Sequence, residues 1–221
     1  MPTLRNLPTA LLLGLALAAS PLHAQQPFKF SNEDQAEKAK EAERQDKVRA
    51  QLQTPCRNKI KDQKIMVLIG ENRGGRINAT QQAFGPHFDA INARLRGLGL
   101  RTYTQAQITQ QVAQAEMDAY FKNDPDAAIS ASKRLAAQYI LRGLITATAE
   151  RNAIINVNEV TVSMNFTLTG ADGRMISQAN ARNESFAGAD IPGMALTLIN
   201  ERADDVVAQL YSDYCRAAGV R

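Results

Sequence analysis

The sequence has 221 residues, a formal charge of +4, two cysteines, two histidines, no tryptophan and 5% aromatic residues. That length bounds the chain to one modest domain after any targeting segment. A slight basic excess with so few aromatics speaks against nucleic-acid binding, and two histidines leave little for histidine catalysis or a zinc site.

Met1 to Arg5 carries one positive charge and leads into an apolar run from Leu7 to Ala19, followed by Ser20-Pro-Leu-His-Ala24. This three-part layout predicts a secretory signal peptide cleaved after Ala24. The apolar run is shorter than the about 20 residues a membrane span needs. No cysteine follows it to accept a lipid. The expected product is periplasmic, has no stable membrane anchor, and keeps a charge of +3 once Arg5 is removed. In that oxidising compartment Cys56 and Cys215 are expected to form one disulfide, the alternatives being intermolecular pairing or free thiols.

Residues 25–53 are polar and charged, rich in helix formers with Glu/Lys and Glu/Arg pairs at helical spacing, and nearly without large apolar residues. They read as a helical or disordered arm, a spacer rather than a docking element. Residues 54–221 read as a single α/β domain. Lys64-Ile-Met-Val-Leu-Ile-Gly70 is a short continuous apolar run, the pattern of a strand buried on both faces. A glycine-rich loop follows to Arg76, then a helix with Phe84, Phe88, Ile91, Leu95 and Leu98 on one face. Leu100 to Thr104 predicts a second short strand, and Ile108, Val112, Ala115 and Ala119 predict one further amphipathic helix.

Asp124-Pro125 starts the next helix, which leads through Leu135 into a strand from Tyr139 to Thr146. Val160, Val162, Met164, Phe166 and Leu168 alternate with Thr161, Ser163, Asn165, Thr167 and Thr169, predicting a strand with one buried and one wet face. Asp172-Gly173 turns the chain, residues 174–186 return as its partner, and Asp190 caps a long helix bearing Ile199, Ala203, Val206, Leu210 and Tyr214. The order β-α-β-α-α-β-β-β-α predicts a single mixed sheet with helices packed on it and a long C-terminal helix.

No motif commits this domain to a reaction. The glycine loop fits neither of the common phosphate-binding patterns, so it reads as a flexible connection in which Arg73, Gly74, Gly75 and Arg76 offer an interaction loop. His87 remains after processing and reads as a packing residue. The carboxylate pairs Asp204-Asp205, Asp124 with Asp126 and Glu116 with Asp118 read as exposed helix charge. No catalytic, cofactor-binding or metal-binding residue is assigned, and no cofactor is expected.

The succession Lys64 to Gly70, Ala137-Gln-Tyr-Ile-Leu-Arg-Gly-Leu-Ile145, and the hairpin from Val160 to Phe186 resembles a group of bacterial envelope domains. These are the periplasmic domain of the curli secretion channel CsgG, the N-terminal domain of TolB, the penicillin-binding-protein activator LpoB and the middle domain of FlgT. The likeness spans residues 60–216, without channel-forming hairpins or a lipid-bearing cysteine. It implies a non-enzymatic periplasmic interaction or assembly module that binds envelope proteins or a second copy of itself, and no nucleic acid. The surfaces offered are a sheet edge, the loop at 70–76, or the wet ladder of Thr161, Ser163, Asn165 and Thr167 as acceptor of a partner strand. The alternative is a binder of a small ligand or envelope polymer, with its pocket near the carboxyl ends of the strands.

Overall fold

The computed structural model describes residues 32–220, so the signal-peptide segment expected at residues 1–24 lies outside the described residues. The chain divides into two compact units, Met1–Lys38 and Ala39–Arg221. In the first, the described residues are the opening turns of helix α1, Asn32–Leu52. The second holds the rest of α1 and the remaining elements.

Its elements are α2 Arg57–Ile60, β1 Lys64–Arg73, β2 Arg76–Asn78, α3 Gly85–Gly97, β3 Arg101–Thr102, α4 Gln105–Gln111, α5 Gln114–Phe121, α6 Pro125–Leu135, β4 Tyr139–Arg151, β5 Asn158–Gly170, β6 Met175–Ala187 and α7 Ile191–Ala217. One open mixed sheet runs β2-β1-β4-β5-β6, with β3 also on β1. The β1–β4 pair is parallel, whereas β4–β5 and β5–β6 are antiparallel. The α/β class and the single sheet are as the periodicity predicts.

The apolar run of β1 is buried on both faces: Ile65 to Ile69 are each at most 2% exposed. Strand β5 buries Val160, Val162, Met164, Phe166 and Leu168 and leaves the alternate Thr161, Ser163, Asn165, Thr167 and Thr169 exposed or half-buried. Helix α7 lays Leu198, Ile199, Ala203, Val206 and Leu210 over the buried face. Burying each of the larger of these side chains stabilises the fold by about 1.5–3 kcal/mol, which fixes the register, since a one-residue slip would expose the whole set. Gly143 of β4 lies opposite Phe166, and a Cβ there would sit 2.7 Å from the ring Cζ and 2.8 Å from Ile69 Cδ1.

Two expectations are corrected. The glycine loop at 70–76 is no flexible connection: β1 continues to Arg73 and returns as β2 through the two-residue turn Gly74-Gly75. Both glycines have positive φ, 56° and 83°, the backbone that a tight hairpin matching strand twist requires. The single helix expected through Ile108 and Ala119 is broken into α4 and α5. Val112 takes an extended backbone with its side chain buried, and the Glu116 carboxylate accepts from the Ala113 N–H at 3.1 Å to start the second helix.

Cys56 and Cys215 are joined as a disulfide, with Cα atoms 5.6 Å apart. Tyr211 supports the junction, its hydroxyl accepting from the Cys56 N–H at 3.2 Å and donating to the Thr54 carbonyl at 2.5 Å. Between residues 39 and 52, α1 lies against α7 through polar contacts. Arg44 pairs with Glu41 and Asp205, Arg202 reaches Glu41 at 3.8 Å and Asp205 at 3.5 Å, and Gln51 donates to Gln209 at 2.8 Å.

Candidate interaction site

The last four residues of β4, Thr148 to Arg151, are exposed, so the strand runs past the helices that cover its start. Asn152 shapes the turn beyond it. Its Oδ1 accepts from the Ile154 N–H at 3.0 Å and from the Ile155 N–H at 3.3 Å, and its own N–H donates to Val157 O at 2.8 Å. Asn156 adopts φ 56°, which asparagine tolerates better than most residues, and its Oδ1 accepts from Arg151 Nε at 2.8 Å. These bonds hold the turn in one shape while Ile154 stands 93% exposed and Ile155 52% exposed. Phe186 of β6, paired with Glu159 at the same end of the sheet, is 51% exposed. Two β-branched residues inside an asparagine-flanked turn were the available sequence signal for this site, because solvent-facing turns usually carry polar side chains.

Next to the turn, Glu150 lies directly opposite Glu159 across the β4–β5 pair. Like charges at opposed positions destabilise a sheet, so this end carries an unfavourable pairing that local structure does not require. On β6, Glu184 is met by Arg182 at 3.4 Å.

The wet ladder Thr161, Ser163, Asn165 and Thr167 is present, but β5 is paired with β4 on one side and β6 on the other. Its main-chain groups are therefore not available to a partner strand, and that expectation is corrected. The long open edge belongs to β6, which pairs with β5 alone, and the three-residue β2 ends the other side of the order. Arg182 and Glu184 along it are the kind of charge that discourages indiscriminate edge pairing.

Arg73, Gly74, Gly75 and Arg76 come together at the tip of the β1–β2 hairpin. Arg73 Nε meets Glu71 at 2.8 Å, and Arg76 is exposed. Behind the hairpin a groove of about 580 Å³ opens at the carboxyl ends of β1 and β4. Its floor includes Ile145, Ala147, Val160 and Ile199, and its polar wall includes Glu71, Arg73 and His87. His87 is half-buried at the start of α3, edge-on to Phe84, with its Nδ1 buried and unpartnered. Burial pushes its pKa below the usual value, partly opposed by the Glu71 carboxylate.

Of the carboxylates weighed for acid–base chemistry, Asp204, Asp205, Asp124 and Glu116 have structural partners. Asp204 meets Arg94 at 2.7 Å, Asp205 is held by Arg44 and Arg202, and Asp124 caps α6. Arg134 holds the Glu116 carboxyl below its usual range. Among the described residues no three His, Cys, Asp or Glu side chains gather as a metal site. No described helix is long and apolar enough to cross a membrane.

No protein-family model matches the chain, and no curated protein matches its sequence. Its structure is similar to that of a lipoprotein from Neisseria meningitidis, at 14% identity over 61% of this chain and 93% of that one, with a TM-score of 0.43. It is similar to the LpoB C-terminal domain from Salmonella enterica, at 17% identity over 64% and 95% of the two chains, with a TM-score of 0.41. It is also similar to PelC from Paraburkholderia phytofirmans, solved as a dodecamer, at 16% identity over 67% and 88%, with a TM-score of 0.39.

Proposed function

We propose that this chain is a non-enzymatic interaction or assembly module of the bacterial envelope, working in the periplasm after loss of residues 1–24, with residues 54–221 as the working domain. The observation that carries this reading is the Ile154–Ile155 turn. A secreted protein that fixes two apolar side chains in water at the end of a projecting hairpin presents rigid anchors for a partner's pocket, and such anchors dominate interface energetics. The neighbouring free edge of β6 offers main-chain groups for strand addition beside them.

A photo-crosslinker placed at Ile154 and, separately, at Glu184 on β6, used in intact cells, tests the reading. Capture of an envelope protein, abolished by Ile155→Ser, is the expected result. Absence of any crosslink at either position, in cells where the protein is folded and abundant, would overturn it.

The groove behind the β1–β2 hairpin favours a second reading, a binder of a small ligand or envelope polymer. Its apolar floor and the unpartnered His87 Nδ1 suit a mostly apolar ligand with one polar group. A melting-temperature rise with a panel of sugars, peptides and anions, lost on His87→Phe, is the outcome that would favour it.

A further inference from the structure

We infer that the end of the sheet opposite the Ile154–Ile155 turn is an electrostatic docking surface for an anionic lipid bilayer. The charge of the chain is modest and spread along the sequence, but folding gathers part of it. The Asp62 N–H donates to the Gly99 carbonyl at 2.9 Å, the Arg101 N–H donates to the Gln63 carbonyl at 2.9 Å, and Lys64 lies beside Arg101 in the β1–β3 pair. These bonds bring segment 57–64 against segment 96–102. Arg57, Lys59, Lys61, Lys64, Arg96 and Arg101 then share one end of the fold with Asp62 as the one carboxylate of either segment.

All six except the half-buried Lys64 are exposed. Among the described residues none of them meets a carboxylate, although Arg44, Arg73, Arg94, Arg134, Arg182 and Arg202 elsewhere in the fold each do. Arg96 donates to Thr102 at 3.1 Å, which leaves its charge uncompensated. Like charges held together with few carboxylates beside them repel, and an anionic partner relieves that repulsion.

The arrangement fits a surface better than a single bound anion. None of the six lines the groove behind the β1–β2 hairpin, and three of them are lysines, point charges rather than the planar forks that grip one phosphate or carboxylate. Clusters of four to eight such cations bind anionic headgroups additively, each contributing roughly a fivefold gain in affinity. With this end against a bilayer, the thirteen residues of β4 carry the Ile154 turn roughly 40 Å away from it. The association is peripheral and reversible, in keeping with a chain expected to have no stable anchor.

The test is co-sedimentation of the protein, purified as the cell produces it, with vesicles of phosphatidylcholine alone or of phosphatidylcholine and phosphatidylglycerol. Binding to the anionic vesicles alone, reversed by salt, is expected. Lys59→Gln, Lys61→Gln and Arg101→Gln together should weaken it on the order of a hundredfold. Arg76→Gln, Lys122→Gln and Arg182→Gln, which remove the same charge elsewhere, should leave it unchanged. If the first triple variant does not melt like the parent, Lys61→Gln and Arg101→Gln alone should each cost about fivefold. Equal binding to neutral vesicles, equal loss in both triple variants, or capture of soluble polyphosphate without vesicle binding would each overturn the proposal.

Discussion

The side-chain amide of Gln81 pairs with both main-chain groups of Ile69: its Nε2 donates to the Ile69 carbonyl at 2.8 Å, and its Oε1 accepts from the Ile69 N–H at 3.0 Å. Strand β3 pairs with the start of β1 and β2 with its end, so the flank between them has no neighbouring strand. Gln81, fully buried, supplies there what a strand would supply, and its Nε2 also reaches the Ala79 carbonyl at 2.6 Å. An unpaired main-chain N–H and C=O in the core would otherwise keep their desolvation cost.

Gln81→Leu preserves the volume and removes the pairing. It is expected to lower stability by about 2–4 kcal/mol, the combined cost of leaving buried main-chain groups of Ile69 and Ala79 unsatisfied. Urea unfolding measures this, and a loss below about 0.5 kcal/mol would show that the amide is replaceable by water.

Gly143→Ala should fail for a steric reason. The new Cβ would crowd the Phe166 ring and Ile69 Cδ1. A cost of about 1–3 kcal/mol is expected, and Phe166→Leu in the same chain should recover part of it. Additive losses in the double variant would show that the two residues do not compete for one space.

The disulfide joins Cys56 and Cys215 across a sequence separation of 159. Cys56→Ser is expected to cost about 2–5 kcal/mol, and a reductant should lower the melting temperature of the parent but not of the variant. The Tyr211 hydroxyl still ties residues 54 and 56 to α7, so the variant should fold.

The clasp between α1 and α7 gives a pH signature. The Arg44 guanidinium, with Gln45 donating as well, holds the Glu41 carboxyl at about 2, against a usual 4.5. A carboxyl lowered on folding stabilises fully above its unfolded value, and that stability is lost as pH falls from 4.5 through about 2. The Glu41 side chain is 45% exposed, so screening keeps its contribution below about 1 kcal/mol. The parent should melt slightly above Glu41→Gln at pH 7, and the gap should close by about pH 2. A gap that widens in acid would contradict the assignment.

How much of this was legible in the sequence depends on whether the signal is local. The alternation from Val160 to Leu168 and the stripe of Phe88, Ile91 and Leu95 state their own buried faces, because side-chain direction repeats with the backbone period. Two cysteines allow a single intramolecular pairing. The Gly74-Gly75 turn was readable in principle, yet the strand after it is three residues long and too short to show a period. The break between α4 and α5 has no glycine or proline to announce it, since it rests on a buried Val112 and a Glu116 cap.

By itself the sequence determined the order of the longer elements, the buried faces of β1, β5, α3 and α7, and the absence of any motif that commits the chain to a reaction. Beyond the β5–β6 hairpin, which the Asp172-Gly173 turn announces, tertiary structure alone decided which strands are neighbours. That neighbour order closes β5 on both sides and opens the edge of β6, sets Glu150 against Glu159, calls Gln81 into the flank of β1, and gathers six unpaired cations opposite an exposed isoleucine turn. The physical reason is range: a helix or strand buries its own stripe through contacts a few residues apart, whereas sheet order and charge placement come from contacts between residues far apart in the chain, which no local period encodes.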